Sequence, residues 1–275
     1  MRHKRRICVA DETPLPRIDI TRPHQARVWN YWLGGKDNYP VDRELAEQLR
    51  QVYPGMEDIA RHTRAFLGRA VRYLAEEAGI RQFLDIGTGL PTVDNTHEVA
   101  QRVDPTCRIV YVDNDPLVLV HAQALLTSHP LGACDYIEAD VRDPGAVLDF
   151  AAKTLDLTRP TALILLGVMG TVFDDDQAYA LVEGLLDALA PGSHLVFEDG
   201  TKTVNPDAAA EAERLRDEGK VYSYRLRTPE EISRFFDGLE LVEPGVVSVS
   251  RWRVEAGVFG VPDEVDAFCG VGRKP

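Results

Sequence analysis

The chain has 275 residues, of which 44% are hydrophobic and 27% are charged, and its formal net charge is −13. This length fits one large α/β domain, alone or with a cap, and the composition is that of an ordinary globular protein. Non-specific binding to nucleic acid depends on neutralising phosphates. So acidic a chain therefore disfavours a DNA or RNA partner and favours a neutral or cationic small molecule.

Cysteine usage and hydropathy bear on the compartment. The four cysteines are scattered without a C-x-x-C pair, which disfavours a disulfide framework or a zinc site and favours a reducing cytoplasm. The basic start, residues 1–6, is not followed by the apolar segment of a signal peptide. The longest apolar run, 162–170, is far shorter than the roughly 20 residues that cross a bilayer, so it predicts a buried strand. We expect a cytoplasmic protein without a membrane partner, either a monomer or a homodimer.

The first 80 residues predict a loose start followed by a helical cap. Residues 1–20 are polar and interrupted by prolines. The pattern from residue 23 to about 50 is helical, although glycines and a proline break it, and residues 58–78 carry apolar side chains at helical spacing. We expect this cap to cover the mouth of a sheet formed by residues 81–275.

The next segment predicts a nucleotide-binding turn. Residues 82–92, QFLDIGTGLPT, form a short apolar strand that runs into a turn containing Gly87 and Gly89. A second apolar run, 109–113, ends in Asp113, roughly 20 residues after the turn, which is the spacing of an acid that binds ribose hydroxyls. A strand, a glycine turn, a helix and an acid-tipped strand form the first half of a nucleotide-binding βαβ unit.

Two residues of this turn discriminate between nucleotides. Thr92 stands where the third glycine of a G-x-G-x-x-G dinucleotide motif is expected, and Asp85 precedes the first glycine by two residues. A carboxylate at that position would repel the pyrophosphate of NAD, which disfavours a nicotinamide-dependent oxidoreductase. The same carboxylate would suit the ammonium group of S-adenosylmethionine, which joins an adenosine to an amino acid through a sulfonium.

A third acid, Asp140, follows the next predicted strand, 133–139. Ligands of parallel α/β sheets bind outside the carboxyl ends of the strands, so Asp85, Asp113 and Asp140 are expected along one rim.

Asn95 with Glu98 forms a capping-box pattern that predicts a helix start. The remaining elements are predicted, in chain order, as a helix from Asp115 and Pro116, strand 163–166, helix 176–189, strand 193–197, helix 208–218, a helix opened by Thr228 and Pro229, and strands 239–242 and 265–271.

The order of these motifs resembles that of class I S-adenosylmethionine-dependent methyltransferases, in which a glycine turn, a ribose acid and an adenine-side acid follow one another. The chain is more similar still to an actinobacterial family of S-adenosyl methyltransferases of undefined substrate. Residues 28–39, 90–98 and 269–275 carry this similarity, which covers nearly the whole chain. The resemblance implies a Rossmann-like, mostly parallel sheet with an antiparallel edge, and an inserted helix at about 201–222 near the mouth of the site.

The resemblance and the predicted rim together assign the cofactor residues. The first acid and the glycine turn are expected beside the methionine part, the second acid beside the ribose, and the third beside the adenine. The candidates are Asp85, Gly87, Thr88, Gly89, Asp113, Asn114, Asp140, Val141 and Gly167. Arg27 is a candidate partner for the cofactor carboxylate, or else an exposed helix residue.

The acceptor side is assigned from polar and aromatic residues near the predicted mouth. His97, Glu198 and Asp199 are candidate general bases, although each could merely cap a helix or a turn. A segment of the cap is expected to close over a ligand, with a packed helix corner as the alternative: Tyr31, Gly34, Gly35, Lys36, Asp37 and Asn38. The acidic run 174–176 is expected to start a helix, and no metal site is expected.

These assignments predict transfer of a methyl group from S-adenosylmethionine to an oxygen or nitrogen of a small molecule. Residues 167–170 lack the Asn-Pro-Pro-aromatic motif of enzymes that methylate DNA amino groups, which disfavours nucleic-acid bases as acceptors. The alternative is a sensor that binds S-adenosylmethionine or its demethylated product without turnover. A deep, ordered acceptor cavity would favour the enzyme.

Overall fold

The computed structural model describes residues 18–125, 127–219, 221, 223–254 and 260–275. The predicted loose start therefore lies almost entirely outside the described residues, as does part of the end of the predicted insertion.

Three helices form the N-terminal cap. They are α1, Gln25–Trp32, α2, Pro40–Val52, and α3, Met56–Glu76. Pro40 opens α2, where its missing N–H costs nothing and its fixed φ favours the first helical turn. Helix α3 buries a continuous apolar face, which the helical spacing of residues 58–78 predicts.

Five parallel strands form the centre of the sheet. They are β1, Gln82–Ile86, β2, Arg108–Asp113, β3, Ala133–Glu138, β4, Ala162–Leu166, and β5, His194–Gly200. Three shorter or antiparallel strands follow: β6, Glu240–Leu241, β7, Val247–Ser248, and β8, Ala267–Arg273. The strand order is β3-β2-β1-β4-β5-β8-β6, with β8 antiparallel to its neighbours and β7 also paired with β8. This is the mostly parallel Rossmann-like sheet with an antiparallel edge that the sequence predicts.

Helices connect the parallel strands, as the alternating pattern predicts. They are α4, Thr96–Val103, α5, Pro116–Leu125, α6, Pro144–Ala151, and α7, Asp175–Asp187, followed by α8, Pro206–Asp217, and α9, Pro229–Ser233. Asn95 and Glu98 form the predicted capping box of α4, and the carboxylate of Asp115 accepts the Leu117 N–H at the start of α5. Asp174 caps α7, so the acidic run 174–176 does start a helix. None of the helices in the described ranges is long and apolar enough to cross a membrane.

The fifth strand is longer than predicted, and this changes the position of two acids. The sequence predicts that β5 ends at residue 197, whereas the strand continues to Gly200 because it stays paired with β8 as far as Ala267. Glu198 and Asp199 therefore lie within the strand and point to opposite faces of the sheet. The short strand β7 was not predicted, and β6 has two residues instead of the four expected.

Candidate active site

The glycine turn after β1 brings the backbone close to the end of β4. Gly87 and Gly89 have φ values of +74° and +64°, a region that side chains other than glycine rarely adopt. A Cβ on Gly87 would lie 2.2 Å from Cγ2 of Val168, whereas a Cβ on Gly89 would meet nothing within 4 Å. Gly87 is thus required because a side chain there would collide with Val168. Gly89 instead leaves open space on the cleft side.

Asp113, at the end of β2, holds this turn in place. Its carboxylate accepts hydrogen bonds from the Gly89 N–H at 2.8 Å and from the Asp115 N–H at 2.9 Å. Burial raises the pKa of Asp113, while these two N–H groups oppose that shift. The acid that the sequence assigns to ribose binding therefore also fixes the shape of the glycine turn.

Asp85, near the end of the neighbouring strand β1, lines the same cleft. Its side chain is 6% exposed, and the Thr96 hydroxyl donates a hydrogen bond of 2.6 Å to Oδ2. Burial raises the pKa of Asp85 to about 6, because the ionised carboxylate loses most of its contact with water. A cationic ligand group beside this carboxylate would compensate for the lost hydration.

Arg64, on α3, lines the cleft and is a candidate functional residue that the sequence analysis missed. Its Nη2 donates to the Asn95 side chain at 2.9 Å, while its buried Nε has no hydrogen-bond partner in the part of the chain that the structure describes. Burial lowers the pKa of Arg64, and the carboxylate of Asp85 opposes that shift. The available signal was its spacing, because Ala60, Thr63, Arg64 and Leu67 form one helical face that lines the cleft.

Arg27 does not line this cleft. Its guanidinium is buried and donates to the backbone oxygens of Asp19 and Arg22 at 3.0 and 3.1 Å. Its Nε lies 3.3 Å from the carboxylate of Asp115. The side chain anchors the segment before α1, so Arg27 belongs neither to the cleft nor to the exposed surface.

The cleft between the cap and the carboxyl ends of the strands encloses about 160 Å³. The structure brings all nine predicted cofactor residues together along its wall: Asp85, Gly87, Thr88, Gly89, Asp113, Asn114, Asp140, Val141 and Gly167. Asp140 is partly exposed there and forms an ion pair with Arg142 at 3.1 Å. The cap contributes α1 and the face of α3 that carries Arg64.

A second, smaller cavity adjoins the cleft at the end of β4. It encloses about 100 Å³ and shares the side chain of Trp29 with the cleft. A Cβ on Gly167 would lie 3.8 Å from Glu198 Oε2 and 3.9 Å from both Gln25 Nε2 and Trp29 Cζ2. Gly167 thus marks the junction between the two cavities, and Glu198 lines the second one.

His97 does not fit the role of general base. Its backbone N–H and its Nδ1 both lie 2.8 Å from the hydroxyl of Tyr111, and the residue is 3% exposed. Burial lowers the pKa of His97, and the side chain lines neither cavity. The histidine therefore packs the start of α4 against β2.

Asp199, the third candidate base, is also committed elsewhere. Its carboxylate pairs with Arg227 at 2.8 Å and accepts a hydrogen bond from the Tyr224 hydroxyl. Both Asp199 and Arg227 are fully buried. Of the three candidate bases, only Glu198 reaches a cavity.

The predicted lid is a packed corner between α1 and α2. Asn30 organises it, since its Oδ1 accepts hydrogen bonds from the Asp37 N–H at 3.0 Å and from the Asn38 side chain at 2.9 Å. A Cβ on Gly35 would lie 2.3 Å from the Asn30 amide, so glycine is needed for packing there. The six proposed lid residues line neither cavity, and only Asn30 and Leu33 of this region reach the cleft: Tyr31, Gly34, Gly35, Lys36, Asp37 and Asn38.

The strand order, together with a rim on which Asp85, the glycine turn and Asp113 follow one another, defines a class I, S-adenosylmethionine-dependent methyltransferase. The sequence profile of the S-adenosyl methyltransferase family matches residues 11–275. The chain belongs to this family, and its cofactor is S-adenosylmethionine.

Solved structures agree with this assignment. The chain is 45% identical to a DUF574 family protein from Streptomyces avermitilis, with a TM-score of 0.88 over 94% of this chain and 100% of that one. It is 43% identical to a candidate methyltransferase from Thermobifida fusca, with a TM-score of 0.85 over 96% of this chain and 99% of that one. The magnesium protoporphyrin IX methyltransferase of Synechocystis shares the fold, at 11% identity and a TM-score of 0.51 over 90% of each chain. No curated protein matches the chain.

Proposed function

We propose that this methyltransferase methylates an oxygen or nitrogen of a small molecule. The observation that carries the proposal is the second cavity, which meets the cofactor cleft at Gly167 and is roofed by the cap. Its volume of about 100 Å³ suits a small acceptor group. A cavity beside the cofactor cleft that can hold an acceptor also favours turnover over a sensor without an acceptor.

The residues of the cleft fit the groups of S-adenosylmethionine. Asp85 would bind the ammonium, and the unpartnered Nε of Arg64 would bind the carboxylate, so each buried charge gains an opposite one. Asp113 and Asn114 would hold the ribose, while Asp140 and Val141 would meet the adenine. S-adenosylmethionine supplies an activated methyl group, so the protein has mainly to align donor and acceptor.

The chain contributes alignment and exclusion of water. Trp29 forms a wall of both cavities, and its ring makes an edge contact with Trp32. Holding two reactants in a productive geometry contributes up to about 7–11 kcal/mol in well-oriented systems. A face of Trp29 beside the junction could also stabilise a sulfonium by a cation–π contact.

The same proposal covers partners and location. The net charge of −13 supports a substrate other than nucleic acid. We propose that the protein is a monomer or a homodimer and has no membrane partner. The three cysteines in the described part of the chain, Cys107, Cys134 and Cys269, are free thiols, which supports a cytoplasmic location.

We expect the acceptor to be found among small molecules. The purified protein would be incubated with S-adenosylmethionine carrying a radioactive methyl group and a cell extract separated into small-molecule, protein and nucleic-acid fractions. Label should enter the small-molecule fraction, and the Arg64→Met variant should transfer much less. Label confined to the protein or nucleic-acid fraction would contradict the proposal.

Replacing Arg64 with Met should weaken S-adenosylmethionine binding by about 10–100-fold, since a hydrogen bond to a charged group is lost. Calorimetry would measure this affinity alongside that of methylthioadenosine, which lacks the amino-acid part and should bind both proteins equally. Arg61→Met is the matched control, because Arg61 lies on the same helix, is 58% exposed and pairs with Asp58. An equal loss for both ligands would assign Arg64 a purely structural role.

A further inference from the structure

We infer that the acceptor is an amine on an apolar body, that the body occupies the second cavity, and that the amine nitrogen lies against the carboxyl group of Glu198. This inference rests on the proposed function and deepens it, since it selects nitrogen over oxygen as the methylated atom. It also assigns Glu198 as the residue that recognises the amine and takes its proton.

The walls of the second cavity set the character of the acceptor body. Its surface is mainly apolar and comes from the cap, the sheet and α8, through side chains that include Trp29, Leu49, Met56, Ile59 and Leu226. Burying apolar or aromatic surface of a ligand against such walls contributes about 25 cal/mol of binding free energy per Å². The cavity therefore selects a hydrophobic group rather than a sugar or a nucleotide.

Glu198 is one of the polar residues that line this cavity. The residue is 2% exposed, and its buried Oε2 has no hydrogen-bond partner in the part of the chain that the structure describes. A buried acceptor atom left without a donor costs about 1–3 kcal/mol, so its presence calls for a ligand that supplies a donor. The nearness of Oε2 to Gly167 places that donor at the junction with the cofactor cleft.

The charges around Glu198 favour an amine over a hydroxyl. Asp199 follows Glu198 on the same strand, Cys269 lies opposite Glu198 on β8, and Tyr224 lies nearby. Burial raises the pKa of the Cys269 thiol and of the Tyr224 hydroxyl well above their usual values, so both are neutral neighbours. Burial and the charge of Asp199 raise the pKa of Glu198 more than the Gly167 N–H lowers it, so its anionic form is incompletely compensated. An ammonium ion would complete that compensation, whereas a hydroxyl acceptor would develop negative charge beside the Glu198 carboxylate.

The other charged groups of the cavity do not reverse this preference. Glu213 and Asp266 add two acids to its wall. Arg216 is the cation among the described wall residues, and its guanidinium already bonds to Asp217 at 2.7 Å and to the backbone oxygen of Tyr224 at 3.3 Å. Arg227 faces away, on the other side of the strand, where it pairs with Asp199.

The chemistry balances with these groups alone. The acceptor enters as an ammonium ion and gives one proton to the carboxylate of Glu198, which frees the nitrogen lone pair. S-adenosylmethionine supplies the methyl group, whose bond to sulfur breaks as the bond to nitrogen forms, so sulfur keeps the electron pair as a thioether. The product is a methylated ammonium ion, and the proton on Glu198 returns to solvent when the product leaves.

The test compares two probes of the same shape that differ in the polar atom. The protein is saturated with S-adenosylhomocysteine, the demethylated cofactor, and titrated by calorimetry with 2-phenylethylamine and with 2-phenylethanol. We expect the amine to bind at least tenfold more tightly than the alcohol. In Glu198→Gln, which keeps the shape and removes the charge, this preference should vanish while the affinity for S-adenosylhomocysteine stays unchanged.

The controls separate this inference from the proposed function. Glu240→Gln removes an acid of the exposed strand β6 and should leave both probe affinities as they are. Equal binding of the two probes, binding of neither, or an amine preference that survives in Glu198→Gln would overturn the inference. Failure of S-adenosylhomocysteine to bind the unmodified protein would instead count against the proposed function.

Discussion

Replacing Asp85 with Asn should weaken S-adenosylmethionine binding by about 10–100-fold and at the same time stabilise the ligand-free protein. The loss of affinity follows from the loss of a charge-assisted bond to the ammonium group. The gain in stability follows from burial, because the carboxylate must be ionised at neutral pH in a site where it is 6% exposed. Asparagine keeps the shape and can still accept the Thr96 hydroxyl bond.

The sign of the stability change follows from the pKa values. The pKa of Asp85 is about 6 in the folded protein and 3.8 for an unperturbed aspartate, so the unfolded state favours the ionised form. This difference costs about 2–3 kcal/mol of folding stability above pH 6, and the cost disappears as the pH falls toward 4. Urea denaturation should therefore show Asp85→Asn to be more stable at pH 7 and nearly equal to the unmodified protein at pH 4.

The affinity should change in the opposite sense with pH. Because the ammonium binds the ionised carboxylate, S-adenosylmethionine should bind more weakly as the pH falls through about 6, and Asp85→Asn should lack this dependence. Methylthioadenosine again serves as the control ligand. A destabilised variant with unchanged affinity would remove Asp85 from the cofactor site and make it a structural acid.

Replacing Arg227 with Met should destabilise the protein by about 3–5 kcal/mol, the cost of breaking a buried ion pair from one side. Arg227 is fully buried, pairs with Asp199 at 2.8 Å and donates to the backbone oxygens of Met169 and Val172, also at 2.8 Å. Burial already raises the pKa of Asp199 to about 6 despite this partner, so an unpaired Asp199 would be costlier still.

The control for this variant is Arg225→Met, two residues earlier. Arg225 is 26% exposed and pairs with Asp175 and Glu231 at 2.8 and 3.3 Å, so its loss should cost about 1 kcal/mol or less. Urea denaturation of both variants measures the difference. Combining Arg227→Met with Asp199→Asn should recover part of the lost stability. Equal losses for Arg227→Met and Arg225→Met would show that the buried ion pair contributes no more to stability than the partly exposed one.

The sequence predicts the cofactor side of the site well because that side depends on short-range patterns. Asp85 and the glycine turn lie together within residues 82–89, Asp113 ends β2, and Asp140 follows shortly after β3. Parallel pairing of β1, β2 and β3 then aligns these ends, so all nine candidate residues meet in one cleft. The roles assigned to them remain proposals.

The acceptor side depends on contacts between distant parts of the chain, which local patterns do not reveal. The Gln25 side chain bonds to the oxygen of Gly167, 142 residues away, and this contact places α1 over the end of β4. The sequence predicts His97 as a candidate base, but its ring is hydrogen-bonded to the Tyr111 hydroxyl, a contact that the local pattern does not reveal. Arg64 was missed because one arginine on an amphipathic helix is usually exposed.

The two cavities draw on different parts of the chain, and this division affects how relatives can diverge. The cofactor cleft is built on strand ends and the glycine turn, where a change at Gly87 would collide with Val168. The second cavity, the proposed acceptor site, instead takes much of its wall from α2, α3 and α8, through residues such as Leu49, Met56 and Ala212. Substitutions in these helices could reshape acceptor specificity over evolution while the machinery for the methyl donor is inherited unchanged.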